Sequence, residues 1–180
     1  MPKNDNAHSL RLIAALRAIA GDAAAADFAA RYPLSKSADV PHKFCWAKET
    51  CSALAASFGP DTAARIRRHC RCGNGRTMAQ EIAACICKAG SLPAACELFT
   101  QKNRYAFLEY VGQRELIFGY HGCVCSCVKR TEETLDALWC ECSAGYAEAM
   151  FAQVFGAGVQ VALLESIKAG DPRCAFRVQW

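Results

Sequence analysis

Cysteine is the residue type in this sequence best able to do chemistry: there are thirteen in 180 residues. Nine of them fall in C-x-C pairs or a C-x-C-x-C run: Cys70 and Cys72, Cys85 and Cys87, Cys123, Cys125 and Cys127, and Cys140 and Cys142. Cys45, Cys51, Cys96 and Cys174 stand alone. The pairs also repeat. Twelve residues separate Cys72 from Cys85 and twelve separate Cys127 from Cys140, and the copies close alike, as CICKAG and CECSAG, 55 residues apart. Two dithiol clips brought together make a four-thiolate chelate, which both zinc and iron–sulfur clusters accept and calcium or magnesium does not. The spacing predicts metal ligation by Cys125, Cys127, Cys140 and Cys142, and a second candidate set of Cys70, Cys72, Cys85 and Cys87.

The same thiols admit two other readings, as small core hydrophobes or as reactive and redox groups. A strand puts residues i and i+2 on one face, whereas a helix separates them by about 200°. Cys85 and Cys87, which fall near the end of an expected helix, are therefore poorly disposed to chelate together. Cys123, Cys125 and Cys127 alternate with Val124 and Ser126, which predicts a strand with a row of sulfurs on one face, lining a ligand site. His121 sits at the mouth of that run as a possible ligand contact.

The one dense basic cluster is Arg65, Arg67, Arg68, His69, Arg71 and Arg76, with Cys70 and Cys72 inside it. Positive charge favours the thiolate form of a neighbouring cysteine, and Arg67, Arg68 or Arg71 could hold the carboxylate of a small ligand. No base-stacking aromatics interleave with the arginines, so nucleic acid is not expected as a partner. A net charge of +4 argues for neither nucleic acid nor a membrane surface. No stretch is apolar enough for a spanning helix and no secretory signal is recognisable, so a reduced, cytoplasmic setting is expected, where clustered thiols bind metal or do redox work. There is no nucleophile elbow, phosphate-binding loop, dinucleotide fingerprint or H-E-x-x-H motif.

The elements that must position these residues are legible in outline. Leu12, Ile13, Leu16 and Ile19 recur at helical spacing up to Gly21, and Asp22 opens a second short helix ended by Pro33. Pro41 opens a third, with Gly59 beyond its end, and a fourth runs from Asp61 to His69. Thr77 with Gln80 reads as a capping box for a helix over Met78 to Lys88, and another helix follows Pro93. From Arg104 the period becomes alternating: strands are expected over 105–110, 115–120, 159–167 and 173–180, with a helix over 143–155. The expected fold is α+β in a single domain, 1–180, mainly helical over 1–100 and sheet-rich over 104–180.

Residues 138–180 carry a family resemblance. Ser-Ala-Gly-Tyr at 143–146, a helix, Gly156, an alternating strand ending in Glu165, and Gly170-Asp171-Pro172-x-Cys174-x-Phe176 resemble the 4-vinyl reductase-like superfamily, which includes aminothiazoline-carboxylate hydrolase-like proteins and aromatic-sensing input domains. The resemblance implies helices and an antiparallel sheet around an apolar small-molecule pocket, in a possible homodimer. It also implies a zinc site to which Glu165 and Cys174 correspond, while Lys168 stands where those relatives carry a cysteine.

The expectation is a cysteine-rich, sensor-like small-molecule-binding domain with a thiolate metal site, zinc first, at Cys125, Cys127, Cys140, Cys142, Cys174 and Glu165. The alternatives are a hydrolase opening a C–N bond of a small cyclic amidine or thiazoline acid, and an iron–sulfur protein.

Overall fold

A computed structural model describes residues 4–180. The fold is α+β, as expected, and it is built as two compact units. The first comprises the described part of Met1–Arg71 together with Val124–Cys142, and the second comprises Cys72–Cys123 and Ser143–Trp180. The units therefore do not divide the chain where the pattern changes from helical to alternating.

The first unit holds α1 (Ala7–Ala20), α2 (Asp22–Arg31), α3 (Val40–His69) and a short 3-10 turn, Ala137–Cys140. Local chemistry sets the helix starts. The side chain of Asn6 accepts from the His8 backbone N–H, and that of Asp39 accepts from His42, with Pro41 in the first turn of α3. Helix α3 is broken at Gly59, whose φ of 74° lies in the left-handed region, next to Pro60, which lacks an N–H to donate. The expected third and fourth helices are the two arms of this bend. Leu16, Phe28, Phe44, Leu54 and Ile66 are buried in the unit, and Trp46 meets Trp139 edge-on at 6.0 Å between ring centroids.

The second unit holds α4 (Arg76–Ala89), α5 (Leu92–Lys102), β1 (Ala106–Gly112), β2 (Glu115–Tyr120), β3 (Gln160–Glu165) and β4 (Cys174–Gln179). It also contains all of α6 (Glu141–Phe155) beyond Cys142. The sheet is antiparallel throughout, in the order β1-β2-β4-β3. Phe118 of β2 pairs in register with Leu108 of β1 and Phe176 of β4, and it packs edge-on against Phe151 of α6 at 5.5 Å. Helix α6 thus closes one face of the sheet, and Ile82, Phe99 and Met150 complete the core.

Two local expectations are corrected. Residues 123–128 form no strand: they run as a loop into a turn in which Val128 and Lys129 both donate to the Cys125 carbonyl. The segment leaves the second unit after Cys123 and enters the first, which holds no strand among the described residues for it to pair with. The capping box at Thr77 does not form either. Helix α4 starts at Arg76 from Gly75, which has φ 69° and makes no side-chain cap. A Cβ at Gly75 would lie 2.6 Å from Cβ of Met150, so close approach to α6 decides this helix start.

Gly119 is the tightest point of the sheet, because a Cβ there would lie 2.3 Å from the Cys174 carbonyl oxygen and 2.3 Å from the Phe107 ring. Backbone cannot yield as a flexible side chain can. Gly119→Ala is therefore expected to lower unfolding free energy by about 1–3 kcal/mol in urea denaturation.

Candidate functional site

The bend in α3 does the first positioning step. In a straight helix Cys51 and Arg67 would stand about 24 Å apart. Folded back at Gly59, the second arm puts the Arg67 guanidinium within electrostatic reach of Cys51 on the first. Arg67 is only 3% exposed. Its guanidinium lies 4.0 Å from the centroid of the Trp139 ring, and its Nη2 donates to the Trp139 carbonyl at 2.7 Å. That carbonyl also accepts from the Cys142 thiol at 3.5 Å, which fixes one sulfur beside the cation.

Burial alone would disfavour a charge on Arg67. Its proton is nevertheless held above the usual guanidinium range by Cys142, Cys70, Cys51 and Cys125, in that order of strength. Among the described residues no carboxylate pairs with it. Its sequence neighbour Arg68, by contrast, gives its Nε to Glu141 at 2.8 Å. Burial pushes the Cys51 thiol up to about 11, with Arg67 pulling the other way. It pushes Cys127 up to about 12, helped by Cys125 and opposed by Arg67 and Lys43. At neutral pH these two are thiols.

A second layer surrounds Trp139. The His8 ring lies 6.4 Å from the indole, accepts at Nδ1 from Arg11 Nη2 at 3.1 Å, and faces Ser126 Oγ from Nε2 at 3.1 Å. Because Nδ1 accepts, the neutral ring carries its proton on Nε2 and donates it to the serine. Burial, then Arg11, Arg67 and Lys43, push His8 down to about 4. Three buried donors in this region have no hydrogen-bond acceptor: Nε of Arg11, Nε of Arg67 and Nε1 of Trp139.

The structure distributes the expected residues unequally. Cys125, Cys127, Cys140 and Cys142 all belong to the first unit, as do Cys70, Arg67, Arg68 and Arg71. Cys125 and Cys127 lie in the turn, Cys140 ends the 3-10 turn, and Cys142 lies in the first turn of α6. Arg71 is exposed. Cys72, Cys85, Cys87, Cys123, His121, Glu165 and Cys174 belong to the second unit. On α4, Cys85 is buried in the core and Cys87 is exposed, so that pair does not present two sulfurs to one point. The carboxylate of Glu165 accepts from Arg173, which also bonds Glu109. His121 lies against the Phe107 ring at 5.0 Å. Among the described residues no three His, Cys, Asp or Glu side chains are gathered so as to hold a metal ion. No described helix is long and apolar enough to cross a membrane.

Sequence reasoning singled out Arg67 and the thiols but missed His8, Arg11 and Trp139. The Asn6-x-His8 cap is readable in the sequence; what surrounds His8 is not. A family of unknown function, DUF6144, matches the chain over residues 5–179. No curated protein and no solved structure matches it.

The depressed His8 makes stability depend on pH with a definite sign. Between about pH 6.5 and 4 the unfolded chain takes up a proton at residue 8 that the folded chain refuses, so stability falls as pH drops through that window. With solvent screening of the half-buried ring allowed for, the loss is about 2 kcal/mol. Urea unfolding at pH 7 and pH 4.5 should show that His8→Gln removes this share of the acid sensitivity.

Proposed function

The chain belongs to DUF6144, a family of unknown function, and from the chemistry of its own residues we propose that it is a small-molecule-binding domain whose ligand is held in the first unit by Arg67 and its thiols. One observation carries the reading: a guanidinium 3% exposed, stacked on Trp139, faces sulfurs and has no carboxylate partner among the described residues. Taking a lone charge out of water costs several kcal/mol unless something of opposite charge meets it. The resemblance of residues 138–180 to 4-vinyl reductase-like domains supports small-molecule binding as a function, not the place of the site, since 143–180 belong to the second unit.

A soft metal held by thiolates is a second form of it. Both C-x-C pairs of the later copy, Cys125 with Cys127 and Cys140 with Cys142, lie in the unit that contains Arg67. A zinc bound by four thiolates carries net negative charge, which the guanidinium would offset. The thiols would have to rearrange to form such a chelate, since no three are gathered for it among the described residues.

Native mass spectrometry with elemental analysis, on protein purified without air, added metal or chelator, tests both forms. The expected result is a bound species, organic or zinc, close to one per chain, with occupancy about tenfold lower or less in Arg67→Met. Bare protein in both variants, free of metal and ligand, would overturn the reading. Iron with acid-labile sulfide would replace it with a cluster protein.

A further inference from the structure

One sulfur of the cysteine cluster is placed unlike the rest. Cys142 lies in the first turn of α6, at the positive end of the helix dipole, and it is only half-buried. Its thiol and Nη2 of Arg67 donate to the same oxygen, the Trp139 carbonyl, at 3.5 and 2.7 Å. That single atom brings the sulfur beside a buried guanidinium that meets no carboxylate among the described residues. A neighbouring cation and a helix N-terminus both favour the thiolate, the form of cysteine that attacks.

A second sulfur stands next to it. Trp46 of α3 meets Trp139 edge-on at 6.0 Å, and Cys51 follows Trp46 by five residues, about 7.5 Å along the helix. Cys142 stands three residues beyond Trp139, and Cys51 is within electrostatic reach of both Cys142 and Arg67. Cys51 is buried. Burial pushes its thiol up to about 11 and Asp136 adds to this, against the pull of Arg67. The other charges facing the cluster are Lys43, beside Cys127, and the pair of Arg68 with Glu141. No disulfide joins any of the thirteen cysteines.

We propose that Cys142, beside the Arg67 guanidinium, is a site of oxidation by hydroperoxides, resolved by Cys51 into a Cys51–Cys142 disulfide. In the first step the Cys142 thiolate attacks a peroxide oxygen. The S–O bond forms, the O–O bond breaks, and the leaving oxygen takes a proton to become water or an alcohol. In the second step the Cys51 sulfur attacks the Cys142 sulfenic acid. The S–S bond forms, the S–O bond breaks, and the departing hydroxide leaves as water with the Cys51 proton. Two thiols are oxidised and one peroxide is reduced. The proposal goes beyond the ligand reading and needs no bound molecule.

The test uses the whole chain, reduced and metal-free, treated with equimolar hydrogen peroxide at pH 7 and mapped by peptide mass spectrometry after alkylation. The Cys51–Cys142 disulfide should form before Cys45, Cys72 and Cys87 are oxidised, although those three are exposed. In Cys51→Ser the Cys142 sulfenic acid should persist and be trapped by dimedone. Alkylation of Cys142 by iodoacetamide should reach its plateau rate at a lower pH in the folded chain than in urea. Arg67→Met should slow that alkylation about tenfold at neutral pH, the effect of one unit in thiolate pKa. Oxidation of the exposed cysteines first would overturn the proposal, as would Cys142 pairing with another sulfur or no dimedone adduct in Cys51→Ser. An unchanged rate in folded Arg67→Met would do the same. Should that variant not fold, the comparison of folded chain with urea needs no substitution, and a plateau no lower in the folded chain would overturn the proposal by itself.

Discussion

A positive charge buried among thiols, with no carboxylate to meet it among the described residues, is the constraint around which the first unit is arranged. Arg67 could have been replaced by an apolar side chain of similar length if the unit needed only to be filled. Instead its guanidinium is flattened on the Trp139 ring, tied to the Trp139 carbonyl and surrounded by Cys142, Cys70, Cys51 and Cys125. Sulfur is a suitable neighbour for such a cation. As a thiol it is nearly apolar and packs, and as a thiolate it supplies the missing charge. Burial keeps Cys51 and Cys127 on the thiol side. Burial first, then the charges of Arg11 and Arg67, lowers the proton affinity of His8.

The second unit provides a contrast in how the same residue types are handled. Arg173 is met by Glu165 and Glu109 and lies over the Phe107 ring, so its charge is answered locally. Cys85 and Cys96 sit in an apolar core with Ile82 and Phe99, where they act as small hydrophobes. Burial pushes the Cys96 thiol up to about 11, which keeps it neutral and unreactive there. The buried cysteines therefore have two meanings in one chain: packing for Cys85 and Cys96 in the second unit, and proximity to a buried cation for Cys51 and Cys70 in the first.

The architecture was largely legible in the sequence because period and punctuation are local signals. The strand expected over 115–120 is Glu115–Tyr120, and Gly59, expected beyond the end of the third helix, is the break between the arms of α3. Where long-range packing decided, reading failed. Alternation at 123–128 reads as a strand, but the segment passes after Cys123 into the first unit, which holds no strand among the described residues for it to pair with. Thr77 looked like a cap, but Gly75 was needed for close approach to Met150. Nor does the repeated cysteine spacing produce repeated structure. One copy runs through α4 and the other through a turn and a 3-10 helix. The site shows the same division. The basic run drew attention to Arg67, yet that Arg67 lacks the carboxylate its neighbour Arg68 has, and that His8 and Arg11 come to Trp139 from α1, are facts of three dimensions alone.

The central claim is that Arg67 is retained for binding and not for stability, and urea unfolding of ligand-free, metal-free protein at pH 7 tests it most directly. Arg67→Met is expected to leave the unfolding free energy within about 1 kcal/mol of the wild type or to raise it, because the variant removes a buried charge that no carboxylate meets. A loss of about 3–5 kcal/mol, the size seen when a well-compensated buried pair is broken, would show Arg67 to be a structural member and would contradict the account.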